Sequence, residues 1–337
     1  MMTGAREFQA RVLGVALMAG LLAGCAGRDA VALERGGKLV AVGRSTTDAS
    51  RELLREVRAA NREARIEIVV ADPSCNFREI RIAGDDAPPE TILCSPGGIP
   101  FKAVDAAAIE PTIRLIDGVT AWLSAVDDVL GGTAFDSAAA VEQGFVDANN
   151  IATIATAGGA GPFSDDQIAA ASGLAGVLGR LADTRSRADR LRVIEADHAG
   201  VAALIDALER DTQTWAGSSL PANLAAIDAA FETRAFQIRR GLAAERKAGS
   251  GLAADAHWRA FLTGWADIHD RQEGAEALPR EMKRVTAALR KAQQGYARLL
   301  DPAAKLTEAD RAAIREANRR QLSEVLASVA AVFRAFL

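Results

Sequence analysis

Apolar residues alternate at spacings of three and four through much of the second half of the chain. The longest such run lies within residues 164–215 and consists of Leu174, Val177, Leu181, Thr184, Ala188, Leu191, Ile194, His198, Val201, Ile205, Leu208, Thr212 and Trp215. A mean spacing of 3.5 is typical of a coiled-coil seam. We therefore expect long, coiled-coil-like helices here, with a seam that is loose at Thr184, Ala188 and His198.

Shorter stripes with helical spacing fill most of the remaining chain. They predict helices over residues 46–71, 102–130, 134–156, 221–242, 258–299 and 307–336, separated by turns rich in glycine and proline. One turn is expected at Gly217–Pro221 and another at Gly249–Gly251, and Thr307 to Asp310 has the pattern of a helix cap. The stretch from Ile66 to Val70 also fits a strand, although we favour helix there.

Such amphipathic helices are unstable alone, so their apolar stripes must face each other, and short connections make consecutive helices antiparallel. The sequence therefore predicts an all-α fold. We expect an elongated antiparallel helical bundle over residues 38–337, with a sub-boundary near residues 158–163.

The first 27 residues have a different pattern. Arg6 and Arg11 precede the uncharged apolar run Val12–Ala23, and the tetrapeptide Leu22-Ala23-Gly24-Cys25 closes it. The run is too short to span a bilayer with ease and has the length of a signal-peptide core. The tetrapeptide resembles the lipobox of bacterial lipoproteins. The alternatives are an ordinary secretory signal with a chance cysteine, or an uncleaved helix.

The resemblance, which covers residues 1–27 only, implies that residues 1–24 are a lipoprotein signal peptide. Cys25 would then begin the mature chain, carry diacylglycerol on its thiol and usually an acyl group on its amino end. Two or three fatty chains anchor a protein stably, whereas one gives marginal membrane binding. Residues 25–37 would form a lipidated tether. Ala26, where an aspartate would retain the protein in the inner membrane, favours the outer membrane, facing the periplasm.

Two cysteines remain once Cys25 is assigned to lipid. Because the bacterial envelope is oxidising, Cys75 and Cys94 are most simply a disulfide. The bond would close a loop of roughly 20 residues, worth on the order of 3 kcal/mol in the chain-entropy picture. It lies in a segment rich in proline and glycine, at about residues 72–101. A metal site is the rival interpretation, and the lack of a nearby histidine argues against it.

Composition narrows the classes of function only slightly. Aromatic residues make up 5% of the 337 residues, and alanine, leucine and arginine dominate, which favours helix over sheet. Without residues 1–24 the chain has 38 basic and 43 acidic residues, a formal net charge of −5. This mild acidity argues against a nucleic-acid-binding protein, whose affinity comes largely from neutralising phosphates.

Glu195 and His198 form a Glu-x-x-His pair on a predicted helix. Di-iron bundles use this spacing twice, together with two further glutamates, because residues three apart share a helix face. The pair occurs once here, and His198 falls on the apolar seam. We therefore expect His198 to be a core histidine, and it and Glu195 are only weak metal candidates.

A second polar cluster lies near Trp258 and Trp265 and consists of Asp255, His257, Asp267, His269 and Asp270. The two histidines are 12 residues apart, about 120° around a helix, so they should not converge on one ligand. Known hydrolase, zinc-protease, phosphate-loop and dinucleotide motifs are absent from the sequence. We expect no cofactor and no catalytic residue.

Charge is distributed unevenly. Residues 280–320 have a net charge of +6, whereas residues 102–166 have a net charge of −8. The candidate basic surface consists of Arg280, Lys283, Arg284, Arg290 and Lys291. It would either complement acidic faces inside the bundle or bind anionic lipid or a cell-wall polymer.

Together these patterns predict a membrane-anchored envelope lipoprotein that acts as a non-enzymatic scaffold, tether or adaptor for an envelope protein partner. A homo-oligomer is compatible with the heptad seams. A ligand- or metal-binding helical bundle is the main alternative. A cell-wall-acting enzyme has the least support, because no set of converging carboxylates or histidines can be assembled.

Overall fold

The computed structural model describes residues 4–72, 101, 104, 106–131, 180, 187–196, 198–247, 251–300 and single positions between 307 and 316, with side chains from Arg35 onward. The elements of this part are α1 (Gly4–Ala71), α2 (Ala106–Gly131), α3 (Arg187–Ala196), α4 (His198–Thr214), a π-helical turn (Trp215–Ser219), α5 (Leu220–Lys247) and α6 (Gly251–Leu300). Every one of them is helical, which confirms the prediction of an all-α fold for the described residues.

Helix α1 begins well before the predicted start near residue 46. Residues 25–37, predicted as a tether, are helical, and Gly36 and Leu39 are already buried. Arg35 Nη1 also donates a hydrogen bond to the carbonyl of Gly295 on α6, at 2.6 Å. The packed bundle therefore includes part of the predicted tether, from Arg35 onward. The helix continues through Ile66–Val70, which confirms helix over strand there.

Two glycines seven residues apart bring α1 close to α2. A Cβ atom at Gly36 would lie 3.0 Å from Cγ of Leu130, and one at Gly43 would lie 2.9 Å from Cγ of Leu123. Each leucine therefore occupies the space that a larger side chain on α1 would need. These glycines allow α1 and α2 to pack closely. Glycine usually weakens a helix, and here this packing offsets that cost.

Four helices pack in a ring at the end of the bundle that contains Arg35. Helix α1 contacts α2 and α6, and α4 contacts the same two helices. The ion pairs Arg44–Asp127 at 2.7 Å and Arg51–Asp117 at 3.0 Å show that α1 and α2 run antiparallel. Cross-helix hydrogen bonds likewise make α6 antiparallel to both α1 and α4.

Three helices pack at the other end, where α1, α5 and α6 each contact the other two. Helices α5 and α6 are antiparallel. Of the turn predicted at residues 249–251, only Gly251 is described, and it is the first residue of α6. Helices α1 and α5 are parallel: buried Asn61 donates to Asn223 at 2.9 Å, and farther along Glu67 pairs with Arg234.

The prediction of a turn at Gly217–Pro221 is wrong. Helices α4 and α5 form one continuous rod through the π-turn, in which the N–H of Leu220 bonds to the carbonyl of Trp215, five residues back. Pro221 has no N–H to donate, and its ring would clash with the carbonyl of Gly217 in a regular α-helix. Widening the turn by one residue lets the helix accommodate Pro221 while Trp215, Ala216 and Leu220 stay buried.

A charged ladder joins α1 to α6 in the three-helix part. Arg271 donates to Glu63 at 2.6 Å and to Glu56 at 2.9 Å, and its side chain is 28% exposed. Burial alone would lower the pKa of Arg271, but the hydrogen bonds and charges of the two glutamates outweigh it and raise the pKa. Arg271 therefore stays charged, and it fixes the register of α1 against α6.

The helix cap predicted near the C-terminus is confirmed at its first residues. The N–H of Asp310 donates to Thr307 Oγ1 at 3.1 Å, and the N–H of Thr307 donates to Asp310 Oδ2 at 2.9 Å. Cys75, Cys94, the rest of the loop about 72–101 except Asp72 and Phe101, and the sub-boundary near 158–163 lie outside the described residues. The disulfide and the coiled-coil character stay predictions.

Candidate functional site

An open groove of about 470 Å³ runs along the surface between α4 and α6. Its lining residues are all polar or charged. They are Asp206, Glu209, Arg210, Gln213 and Thr214 from α4, and Lys283 and Arg290 from α6. The groove lies in the four-helix part and ends beside the π-turn, which starts directly after Thr214.

A partly buried charge cluster closes one end of the groove. Arg290 forms ion pairs with Asp206 and with Glu209, the latter at 3.0 Å. The side chain of Glu209 is 16% exposed and that of Arg290 is 34% exposed. One guanidinium thus lies between two carboxylates, which neutralise its charge, and Arg290 is not a free surface cation.

The other end of the groove is fixed by hydrogen bonds around the π-turn. Gln213 Nε2 donates to the carbonyl of Pro279 on α6 at 2.7 Å. Trp215 Nε1 donates to Thr112 Oγ1 on α2 at 2.8 Å, and this hydroxyl donates to Asp211 at 2.9 Å. These bonds connect the continuous rod of α4 and α5 to α2 and to α6 at the π-turn, where its regular α-helical hydrogen bonding is interrupted. Such π-turns are frequent at functional sites.

The sequence pattern did not identify the α4 side of this groove. A signal was present, because the polar residues occupy positions 206, 209, 210, 213 and 214 and therefore share one helix face. They lie beside the apolar seam that was used to predict the helix. Which helix covers that polar face depends on tertiary packing, so the sequence could not pair it with Lys283 and Arg290.

The candidate basic surface lies on the outer face of α6. Four of its members, Arg280, Lys283, Arg284 and Lys291, are exposed, and Arg290 is partly buried. Arg284 donates to Glu281 at 2.6 Å. The acidic neighbours of Arg284 and Arg290 thus complement part of this surface within the bundle, while Lys283 faces the groove.

The prediction that His198 is a core residue is wrong, because its side chain is exposed. Helix α4 begins at His198, and its buried face is carried by Val201, Leu204, Ile205 and Leu208. The carbonyl of His198 accepts a hydrogen bond from Gln293 Nε2 at 2.8 Å. The side chain of Glu195 lies outside the described ones, and no group of three metal-binding side chains occurs among the described residues.

One member of the second polar cluster, His269, belongs to an aromatic stack on α6. Ring centroids are 5.4 Å apart for Trp258–Phe261, 6.0 Å for Phe261–Trp265 and 6.0 Å for Trp265–His269. Trp265 Nε1 donates to Asp228 on α5 at 2.6 Å. His257 and His269 are both exposed, and His269 is held by Trp265 and by Gln272.

Arg234 and Arg239 of α5 cover rings of this stack, and Arg240 pairs with Phe236 on α5 itself. We call these arginines and rings the Arg–aromatic cluster. Arg234 lies 5.5 Å from the ring centroids of Phe231 and Phe261, Arg239 lies 5.5 Å from Trp258, and Arg240 lies 5.7 Å from Phe236. Phe236 is 66% exposed, and Leu262 beside the stack is 41% exposed. Cation–π pairs occur about once per 70–80 residues, so their concentration here marks this surface as distinctive.

None of the helices that the structure describes is both long and apolar enough to cross a membrane. Cys25 lies within the helical range of α1, but its side chain is outside the described ones. Comparison of the chain with protein-family models, with curated proteins and with solved structures found no match.

Proposed function

We propose that the protein is a lipid-anchored lipoprotein of the bacterial cell envelope, most simply of the outer membrane, whose helical bundle is a non-enzymatic scaffold or adaptor. The observation that carries the proposal is Leu22-Ala23-Gly24-Cys25, preceded by a basic start and an uncharged apolar run. An acylated Cys25 would hold the bundle at a membrane through several fatty chains.

The fold gives this anchor a short connection. Arg35, the first described side chain that packs on α6, lies ten positions after Cys25. The intervening chain spans about 15 Å as a helix and at most roughly 35 Å when extended. The four-helix end would therefore lie close to the membrane, and α1 would run outward for a further ~54 Å to Ala71.

The adaptor role is supported by the Arg–aromatic cluster, which lies in the three-helix part and so at the end away from the proposed anchor. Tryptophan and arginine are enriched among the residues that dominate the energy of protein interfaces. Phe236, Leu262 and Arg240 are exposed there. A partner protein that binds this surface would be held at a defined distance from the membrane.

Metabolic labelling with an alkyne analogue of palmitate tests the anchor. Label and membrane association should be lost in Cys25→Ser and retained in the neighbouring control Ala26→Ser. A native protein without label, or label that persists in Cys25→Ser, would overturn the lipoprotein proposal.

A photo-crosslinking amino acid tests the adaptor role separately. Placed at Phe236, it should give a discrete adduct with an envelope protein in intact cells. Placed at exposed Gln294 in the four-helix part, it should not give that adduct. Absence of an adduct at Phe236, or the same adduct at both positions, would remove the evidence for a partner at this surface.

A further inference from the structure

Two arginines of the Arg–aromatic cluster differ from the third in how their charge is matched. Arg234 forms an ion pair with Glu67 of α1. Arg239 and Arg240 are exposed and lie over aromatic rings, and neither forms an ion pair with a carboxylate in the part of the chain that the structure describes. The positive charges of Arg239 and Arg240 are therefore faced by ring surfaces and by solvent.

This arrangement leaves hydrogen-bond donors at the surface. Arg239 lies 5.5 Å from the ring centroid of Trp258, and Arg240 lies 5.7 Å from that of Phe236. A guanidinium that lies over a ring uses its flat face for that contact, and the N–H groups along its edge can still donate to another molecule. Because the rings restrict both side chains, less entropy is lost when a partner binds them.

Apolar side chains lie beside these donors. Arg239 and Arg240 follow Phe236 by three and four residues, so both lie one turn after it on α5. On α6, Leu262 lies one turn after Trp258, and both Leu262 and Phe236 are exposed. A partner that covered the apolar side chains would also exclude water from the guanidiniums, and this would strengthen the hydrogen bonds that they donate.

From these contacts we propose that the partner of the Arg–aromatic cluster binds through an acidic protein segment. Its carboxylates accept hydrogen bonds from Arg239 and Arg240, and an apolar side chain of the segment packs on Phe236. The two oxygens of a carboxylate match two parallel N–H groups at a guanidinium edge. A basic segment would instead bury both guanidiniums uncompensated, which is strongly unfavourable.

The exposed apolar side chains favour protein over other polyanions. A phosphate polymer could satisfy the guanidiniums, but it has no apolar group to place on Phe236 or Leu262. The inference rests on the adaptor role proposed above, and it adds the chemistry of the partner to that role. It does not depend on the lipid on Cys25, since every residue that it uses lies in α5 or α6.

The photo-crosslinking amino acid at Phe236 tests this chemistry when the cross-linked peptide is sequenced by mass spectrometry. We expect the peptide to have a negative net charge, several aspartate or glutamate residues and an apolar residue. The adduct should fall by about tenfold or more in the double variant Arg239→Gln with Arg240→Gln, because two hydrogen bonds to charged groups are lost. Arg58→Gln, the same change at an exposed arginine of α1, should leave the adduct unchanged.

A synthetic peptide of the cross-linked sequence then allows isothermal titration with the mature protein in a neutral detergent. Arg239→Gln and Arg240→Gln should each weaken its binding by about tenfold, and Arg58→Gln by less than about twofold. Arg239→Lys keeps the charge but lacks the planar edge, so it should weaken binding nearly as much as Arg239→Gln. Circular dichroism should be the same for all variants, since only exposed side chains change.

The outcomes separate this inference from the adaptor role. No adduct at Phe236 would overturn both. An adduct on a neutral or basic segment, or one that the double variant does not diminish, would leave the adaptor role standing and overturn the acidic partner. Full binding by Arg239→Lys, or equal weakening by Arg58→Gln, would also overturn it, because either result would indicate diffuse attraction between charges.

Discussion

Replacing Gly43 by alanine tests the close contact between α1 and α2. The added Cβ atom would lie 2.9 Å from Cγ of Leu123, which is itself 1% exposed and cannot move into solvent. Overpacking of this kind costs about 1–3 kcal/mol. Alanine also gains about 1 kcal/mol over glycine inside a helix. The net effect should be a loss of about 0–2 kcal/mol in the free energy of unfolding.

Gly37 provides a matched control on the same helix, because a Cβ atom there would meet nothing within 4 Å. Gly37→Ala should therefore stabilise the protein by about 0.5–1 kcal/mol. The two substitutions are chemically identical, so their difference isolates the contact with Leu123. Urea unfolding followed by circular dichroism should give a lower midpoint for Gly43→Ala and a higher one for Gly37→Ala, with the same slope.

A double-mutant cycle links the effect to its partner. Leu123→Ala alone should cost about 2–5 kcal/mol, because it leaves a cavity in the core. Combined with Gly43→Ala it should cost less, with a coupling of about 0.5–3 kcal/mol, because the new methyl group fills part of that cavity. If Gly43→Ala stabilises as much as Gly37→Ala, or if the cycle shows no coupling, the packing of α1 on α2 described above is incorrect.

Three further outcomes follow from the polar contacts. Thr112→Val should cost about 1–3 kcal/mol of unfolding free energy and shift Trp215 fluorescence, because it removes the acceptor of the indole N–H; exposed Thr233→Val should do neither. Asn61→Leu should cost about 1–3 kcal/mol, and Asn61→Leu with Asn223→Leu should recover most of it in urea unfolding; no recovery would refute the buried pair. Hydrogen bonds from the hydroxyl and N–H of Thr307 lower the pKa of Asp310. This cap is complete above the pKa of an unfolded aspartate and is lost as pH falls through the lowered one; a carboxyl ¹³C titration should show the lowered pKa, and Thr307→Ala should raise it.

The helical pattern predicted most elements because burial follows it. Helix α2 was expected over 102–130 and spans Ala106–Gly131. The helix expected over 258–299 corresponds to α6, which spans Gly251–Leu300. Residues three and four apart share a face regardless of which helix packs on them. The existence and direction of a stripe are therefore local properties that a sequence carries.

Glycine and proline were the main sources of error. Gly217 and Pro221 predicted a turn. In the structure a π-turn accommodates the proline, which has no N–H to donate, and buried apolar residues continue on both sides of it. Gly36 was predicted to lie in a tether. In the structure Leu130 of α2 occupies the space that a side chain at Gly36 would fill. In each case the local preference is overridden by packing against a helix distant in sequence, which the local pattern does not contain.

The groove shows the same limit for function. Lys283 and Arg290 were identified as part of a basic run, yet Arg290 is compensated by Asp206 and Glu209 from another helix. The charge of a run of residues can be counted in a sequence. Whether each charge is neutralised depends on the residues of the facing helix. Only the structure therefore shows that Arg290 pairs with two carboxylates of α4.

The proposed lipid on Cys25 is tested most directly by mass spectrometry of the protein purified from membranes. Trypsin should release the peptide Cys25-Ala26-Gly27-Arg28 from the new N-terminus. We predict that this peptide carries the mass of a diacylglyceryl group, usually with an additional acyl chain, and that peptides from residues 1–24 are missing. A mature chain that retains residues 1–24, or a Cys25 peptide without lipid, would contradict the account.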